Sequence, residues 1–192
     1  MISAQARQSF ERVLQRAVQA RLVQHAGDAC DFARVEPGAD DSRNADSDPV
    51  VALTISSMGF RFMLFLRFGS DTATANYFAR GGMPLHDALL ELGNLCCGAI
   101  NQDLVHHFPD LGMSTPYVLG GQSLRHIDSL HPDYRADYRV NCGANCGTNF
   151  AVSPAGTVQV GVTMCVFTRV PVDFHAGQEI EEASSEGELE LF

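Results

Sequence analysis

Hydrophobic and polar positions alternate along this chain with two different periods, and the period divides it into elements. In residues 8–25, QSFERVLQRAVQARLVQH, the positions Phe10, Val13, Leu14, Ala17, Val18, Arg21 and Leu22 recur at the spacing of an amphipathic helix. Ser9 is the expected cap, slightly inside the segment. The runs VVALTIS and FRFMLFLRF follow, divided by SMG, and predict a hairpin that enters the core of an antiparallel sheet. In the second run Phe60, Phe62, Leu64, Leu66 and Phe68 share one face. SDTATANYFARGG has a Ser/Asp cap and a closing Gly pair, which predicts a short helix.

The helical period returns at about residues 84–107. Pro84 fits a first turn, where its missing N–H costs nothing, and FPD ends the segment. Leu85, Leu89, Leu92, Cys96 and Ala99, flanked by Ala88, Leu95, Ile100 and Leu104, form the stripe expected to face the core. Beyond it, STPYVLGG predicts a short strand whose Pro marks an edge or a strand start, and SLRHIDSLHPDYR has no regular pattern. ADYRVN, TNFAVS and TVQVGVTMCVFTRV predict strands, the last two joined by a turn at PAG. This order predicts an α+β fold, an antiparallel sheet covered by helices.

Composition narrows the functional classes. The 192 residues suffice for one domain, expected over residues 1–172. An acidic loop near residues 38–48 and an acidic, unfolded tail at 173–192 hold much of the net charge of -10. Every basic residue is Arg and none form a stripe, so a nucleic-acid surface is not expected. No apolar run is long enough for a bilayer, and the start lacks a secretion signal, so the expected compartment is the cytoplasm. The six Cys are therefore expected to be reduced. CGANC, with Cys142 and Cys146, misses structural-zinc spacing, and the His residues form no ligand cluster, so no metal site is expected.

One feature of the 84–107 helix is not absorbed by packing. In DALLELGN, Asp87, Glu91 and Asn94 stand at i, i+4 and i+7 and project from one face, away from the apolar stripe. A solvated helix face accounts for them at no cost. A hydrolytic carboxylate pair fits poorly, because such pairs act across a cleft rather than along one helix face. A third reading presents the acid and the amide to a partner macromolecule, the acid pairing with a cation and the amide holding a water. Gly98, one turn on, costs the helix about 1 kcal/mol relative to Ala, which either packing or the close approach of another surface explains.

DALLELGNLCCGAINQDL followed by LGMSTPYVLGG resembles the CheC/CheX/FliY family of chemotaxis phosphatases. Its motif of Asp or Ser, then Glu, Asn and Gly, is matched in order by Asp87, Glu91, Asn94 and Gly98; STPYVLGG and FAVSPAGTVQVGVT resemble the family's following strand and terminal hairpin. The resemblance spans about residues 8–168. CheC-like and FliY-like members carry two such motifs, whereas the first helix here has Val13 and Arg16 where Glu and Asn would follow Ser9. A single centre is the CheX arrangement, and it implies the CheC-like two-layer fold and a homodimer formed through the sheets. The resemblance implies a phosphatase acting on the aspartyl phosphate of a CheY-type response regulator, with Glu91 and Asn94 catalytic and Asp87 and Gly98 toward the partner. Glu91 would pair with the regulator's lysine and Asn94 would orient the attacking water. No cofactor is implied on this chain, since Mg²⁺ sits on the regulator. The alternative is a non-catalytic protein that binds the regulator as a scaffold.

Overall fold

The computed structural model describes residues 1–36, 46–79, 81–143 and 157–177. The predicted strands TNFAVS and the turn PAG lie outside them, as do most of the acidic loop and the end of the tail.

The period-two runs form the centre of one antiparallel sheet. Strands β1 (Ala29–Val35), β2 (Pro49–Ser56), β3 (Phe60–Phe68), β4 (Gly112–Met113), β5 (Tyr117–Gly120), β6 (Tyr134–Gly143) and β7 (Val158–Thr168) are ordered β1-β6-β7-β3-β2-β4, with β5 also on β2. β2 and β3 form the predicted hairpin. Helices α1 (Ala4–Leu22) and α3 (Leu85–Val105) cover one sheet face, and α2 (Thr72–Phe78) begins at an Asp71 side-chain cap. The predicted α+β class is thus the observed one.

Alternation explains the core. Phe60, Phe62, Leu64, Leu66 and Phe68 all point under the helices, where Phe10 of α1 meets Phe60 and Phe62 with ring centroids 5.4 and 5.9 Å apart. The opposite face is thinner: Val50, Ala52, Phe65 and Cys165 pack against Ile127 of a 3-10 helix, Gly121–Leu130.

Several expectations are corrected. The 3-10 helix occupies the stretch expected to be irregular, and β1 was not anticipated: its ACDFARV places Asp31 and Arg34 on a sheet edge, where alternation is weak. α1 starts earlier, capped by Ser3, whose side chain accepts from the Ala6 N–H; Ser9 is buried inside the helix. The Ser9 hydroxyl donates to the Phe174 carbonyl (3.0 Å) and accepts from the Ala176 N–H (3.1 Å), and Phe174 packs edge-on against Phe10. The packed chain therefore continues past Val172, where the sequence pattern placed the end of the domain, as far as Ala176.

Not all cysteines are reduced. Cys96, Cys97 and Cys165 are free and buried, and burial pushes each thiol up to about 12. Cys30 and Cys142, however, are joined by a disulfide between register partners on β1 and β6. The two are 112 residues apart in sequence, so no spacing rule brings them together.

Candidate functional site

The candidate site is a corner between α3 and the β2 edge of the sheet. The buried side of α3 runs through Leu89, Leu92, Cys96, Cys97, Ile100 and Leu104, so the 3.6-residue period leaves Asp87 and Glu91 exposed and Asn94 half-buried at the boundary. Asp87, in the first turn, complements the helix dipole, and its carboxylate lies 3.3 Å from His86 Nδ1.

Gly93 sets the depth at which this face is held. A Cβ at residue 93 would come within 2.5 Å of Val51 Cγ1 and 3.1 Å of Leu53 Cδ1, so only a residue with no side chain lets α3 settle this low on β2. Gly98 is the contrary case, because a Cβ there would meet nothing within 4 Å. Among the described residues, none packs where a Gly98 side chain would stand.

The second wall is a bulge in the edge strand. Met113 pairs with Ile55 and Tyr117 with Ala52, so three residues, 114–116, stand opposite two, Leu53 and Thr54. Ser114 replaces the lost ladder with its own side chain. Its N–H donates to the Thr54 carbonyl (2.9 Å), and its hydroxyl accepts from the Thr54 N–H (3.0 Å). The bulge faces α3 across an open cleft of about 450 Å³, bounded by Asp87, Leu90, Glu91 and Asn94 on the helix and by residues 113–116 on the strand side.

The structure thus brings Asp87, Glu91 and Asn94 together at one cleft and leaves Gly98 further along the same helix. Among the described residues, the side chains of Glu91 and Asn94 carry no hydrogen bond or ion pair, so both are available to a visitor. The cleft lining holds two carboxylates, an amide and two hydroxyls and no basic residue. It is suited to a cationic group and to a water or oxyanion held by the Asn94 amide. No three His, Cys, Asp or Glu side chains among the described residues are grouped as metal ligands. Thr115 and the bulge that carries it, like Gly93, were missed by sequence reasoning. The signal for the bulge was STP, where Pro interrupts a strand pattern.

Comparison with known proteins identifies the fold and only that. No family model matches the chain, and no curated protein matches its sequence. Solved structures do match. A CheC-like superfamily protein from Shewanella sp. PV-4 is similar at 12% identity and a TM-score of 0.53, covering 82% of this chain and 97% of its own. The chemotaxis protein CheX from Vibrio vulnificus is similar at 14% identity and a TM-score of 0.50, covering 82% of this chain and 98% of its own. The chain therefore has the fold of CheX/CheC-like chemotaxis proteins, over almost the whole length of those neighbours. No helix of the described residues is long and apolar enough to cross a membrane.

Proposed function

We propose that this protein dephosphorylates the aspartyl phosphate of a CheY-type response regulator. The observation that carries the reading is the free Glu91 and Asn94 pair, one helical turn apart at an open cleft, on a chain with the CheX/CheC-like fold.

The chemistry asks little of this chain. Water attacks phosphorus, the bond to the aspartyl oxygen breaks, and the products are the regulator's carboxylate and inorganic phosphate. Such a reaction gains mainly from positioning and from charge stabilisation at the phosphoryl oxygens. The regulator supplies the acid pocket and its Mg²⁺. Asn94 orients the attacking water, using its carbonyl to accept and its NH₂ to donate. Glu91 docks the regulator by pairing with its active-site lysine, with Asp87 adding negative charge at the same entrance. Gly98 leaves room for the approaching surface. Two copies pair through their sheets, and the protein works in the cytoplasm beside its regulator.

The test is decay of phosphorylated CheY-type receiver domains from the source organism, with and without this protein. Wild type is expected to accelerate decay, and Asn94→Ala to lose on the order of a hundredfold of that acceleration with an unchanged melting temperature. Equal acceleration by both proteins would overturn the role of Asn94. Binding without acceleration by wild type would instead make the chain a regulator-binding scaffold.

A further inference from the structure

Leu95 was expected at the flank of the buried stripe, yet it is 40% exposed. It lies four residues after Glu91 and one after Asn94, on the side of α3 that turns away from the bulge. Met113 is 41% exposed and lines the cleft from the opposite wall. Its partner in register, Ile55, faces the helices, so Met113 stands on the helix side of the sheet. The polar pair is thus flanked by one large exposed apolar side chain on each side.

We infer that Leu95 and Met113 are the two apolar contacts by which this site reads its partner, and that the partner is a protein surface with a cationic side chain set between apolar ones. The inference rests on the proposed regulator as occupant and adds what selects it. Charge complementarity fixes the centre, since Asp87 and Glu91 face outward and no basic residue lines the cleft. The apolar flanks exclude water around the ion pair, which strengthens it, and each contributes burial of its own on docking. Neither side chain carries a group that can move a proton or stabilise charge, so both act on binding and not on the chemical step. Met113 is unbranched and adapts its shape to what it meets.

The bulge provides an internal control. In an unbroken strand Met113 and Tyr117 would share a face, but the extra residue puts Tyr117 in register with Ala52, on the far side of the sheet. Tyr117 is 43% exposed, as open as Met113, and four residues away in sequence.

The experiment is steady-state dephosphorylation of the phosphorylated receiver together with calorimetric titration of the same receiver, for wild type, Leu95→Gln, Met113→Gln and Tyr117→Gln, each checked by thermal melt. Leu95→Gln and Met113→Gln are expected to raise KM and Kd roughly fivefold to tenfold with kcat within twofold, and Tyr117→Gln to change neither. Wild-type activity with unchanged KM and Kd in the first two variants overturns this inference alone. An equal loss in Tyr117→Gln overturns it as well, because the effect would not follow the face. A wild type that neither binds nor dephosphorylates any receiver overturns the proposed function and this surface with it.

Discussion

Glu11 on α1 and Glu91 on α3 stand on two helices that cover the same face of one sheet, and their surroundings are opposite. Glu11 is closed in. Its carboxylate accepts hydrogen bonds from the hydroxyls of Tyr134 and Tyr138 and from the Arg34 guanidinium at 2.8 and 2.9 Å, while Arg7 lies over the Tyr134 ring. Burial raises its pKa, but the hydrogen bonds and the Arg34 charge outweigh that and hold it below the ordinary value. Further along α1, Val13 is buried and Arg16 forms an ion pair with Asp103 of α3 at 3.0 Å. Glu91 has none of this: it is exposed, next to a cleft, and beside an equally unengaged Asn94. A carboxylate whose acceptor sites are filled by its own chain serves stability, whereas one left open keeps its acceptor sites for a group from elsewhere.

The largest expected effect tests whether the α1 side is structural as a whole. A chain ending at Val172 loses the edge-on contact of Phe174 with Phe10 and the two hydrogen bonds that fill the buried Ser9 hydroxyl. Removing a buried Phe costs about 3 to 5 kcal/mol, and an emptied buried hydroxyl adds to it. Urea unfolding should therefore show a loss of that size, whereas a chain ending at Gly177 should keep wild-type stability. Equal stability of the two chains would separate the α1 face from this strap and leave Glu11 to hold it alone.

Next in size is the exchange of the two glutamates. Glu11→Ala leaves two tyrosine hydroxyls and a guanidinium without their acceptor and should cost about 2 kcal/mol. Glu91→Ala, at an exposed position without partners, should stay within about 0.5 kcal/mol of wild type. Binding to the receiver should show the reverse ranking. Similar melting temperatures for the two variants would erase the contrast.

Acid sharpens the same contrast. The folded-state pKa of Glu11 is depressed, so its contribution is complete above the unfolded value of 4.5 and is lost as pH falls through the folded value. Below about pH 4.5, wild type should lose stability more steeply than Glu11→Gln, which has no carboxylate to protonate. Parallel curves of unfolding free energy against pH would show that the tyrosines do not bind the charged form more tightly.

The α3 side was more legible in the sequence than the α1 side, for a geometric reason. A helix writes its exposed face into local spacing, so Asp87, Glu91 and Asn94 could be read as one stripe. The ligands that close over Glu11 come from β1 and β6, more than 20 and more than 120 residues away, and no local period records them. The same holds for the Cys30–Cys142 disulfide and for the strand-side wall of the cleft, which depends on the register of β4 and β5 against β2. β2, β3 and β7 are central and strongly apolar, so they were read directly, whereas β1 at the edge was not. Gly93 was overlooked because sequence alone does not tell which of two helix glycines touches the sheet.

Those two glycines carry the smallest and most discriminating prediction. Gly98→Ala adds a methyl group where nothing lies within 4 Å and replaces a poor helix former with the best one, so it should stabilise the protein by up to about 1 kcal/mol. Gly93→Ala receives the same propensity gain but drives its Cβ into Val51 and Leu53, and overpacking of this kind costs about 1 to 3 kcal/mol, so the net sign reverses. On the receiver the two should part differently: the Gly98→Ala protein, although more stable, should bind more weakly, since its new methyl group would stand in the space that the proposed docking leaves to the partner. A Gly98→Ala variant that is both more stable and undiminished in binding would remove residue 98 from the docking surface and confine that surface to the first three turns of α3 and the bulge.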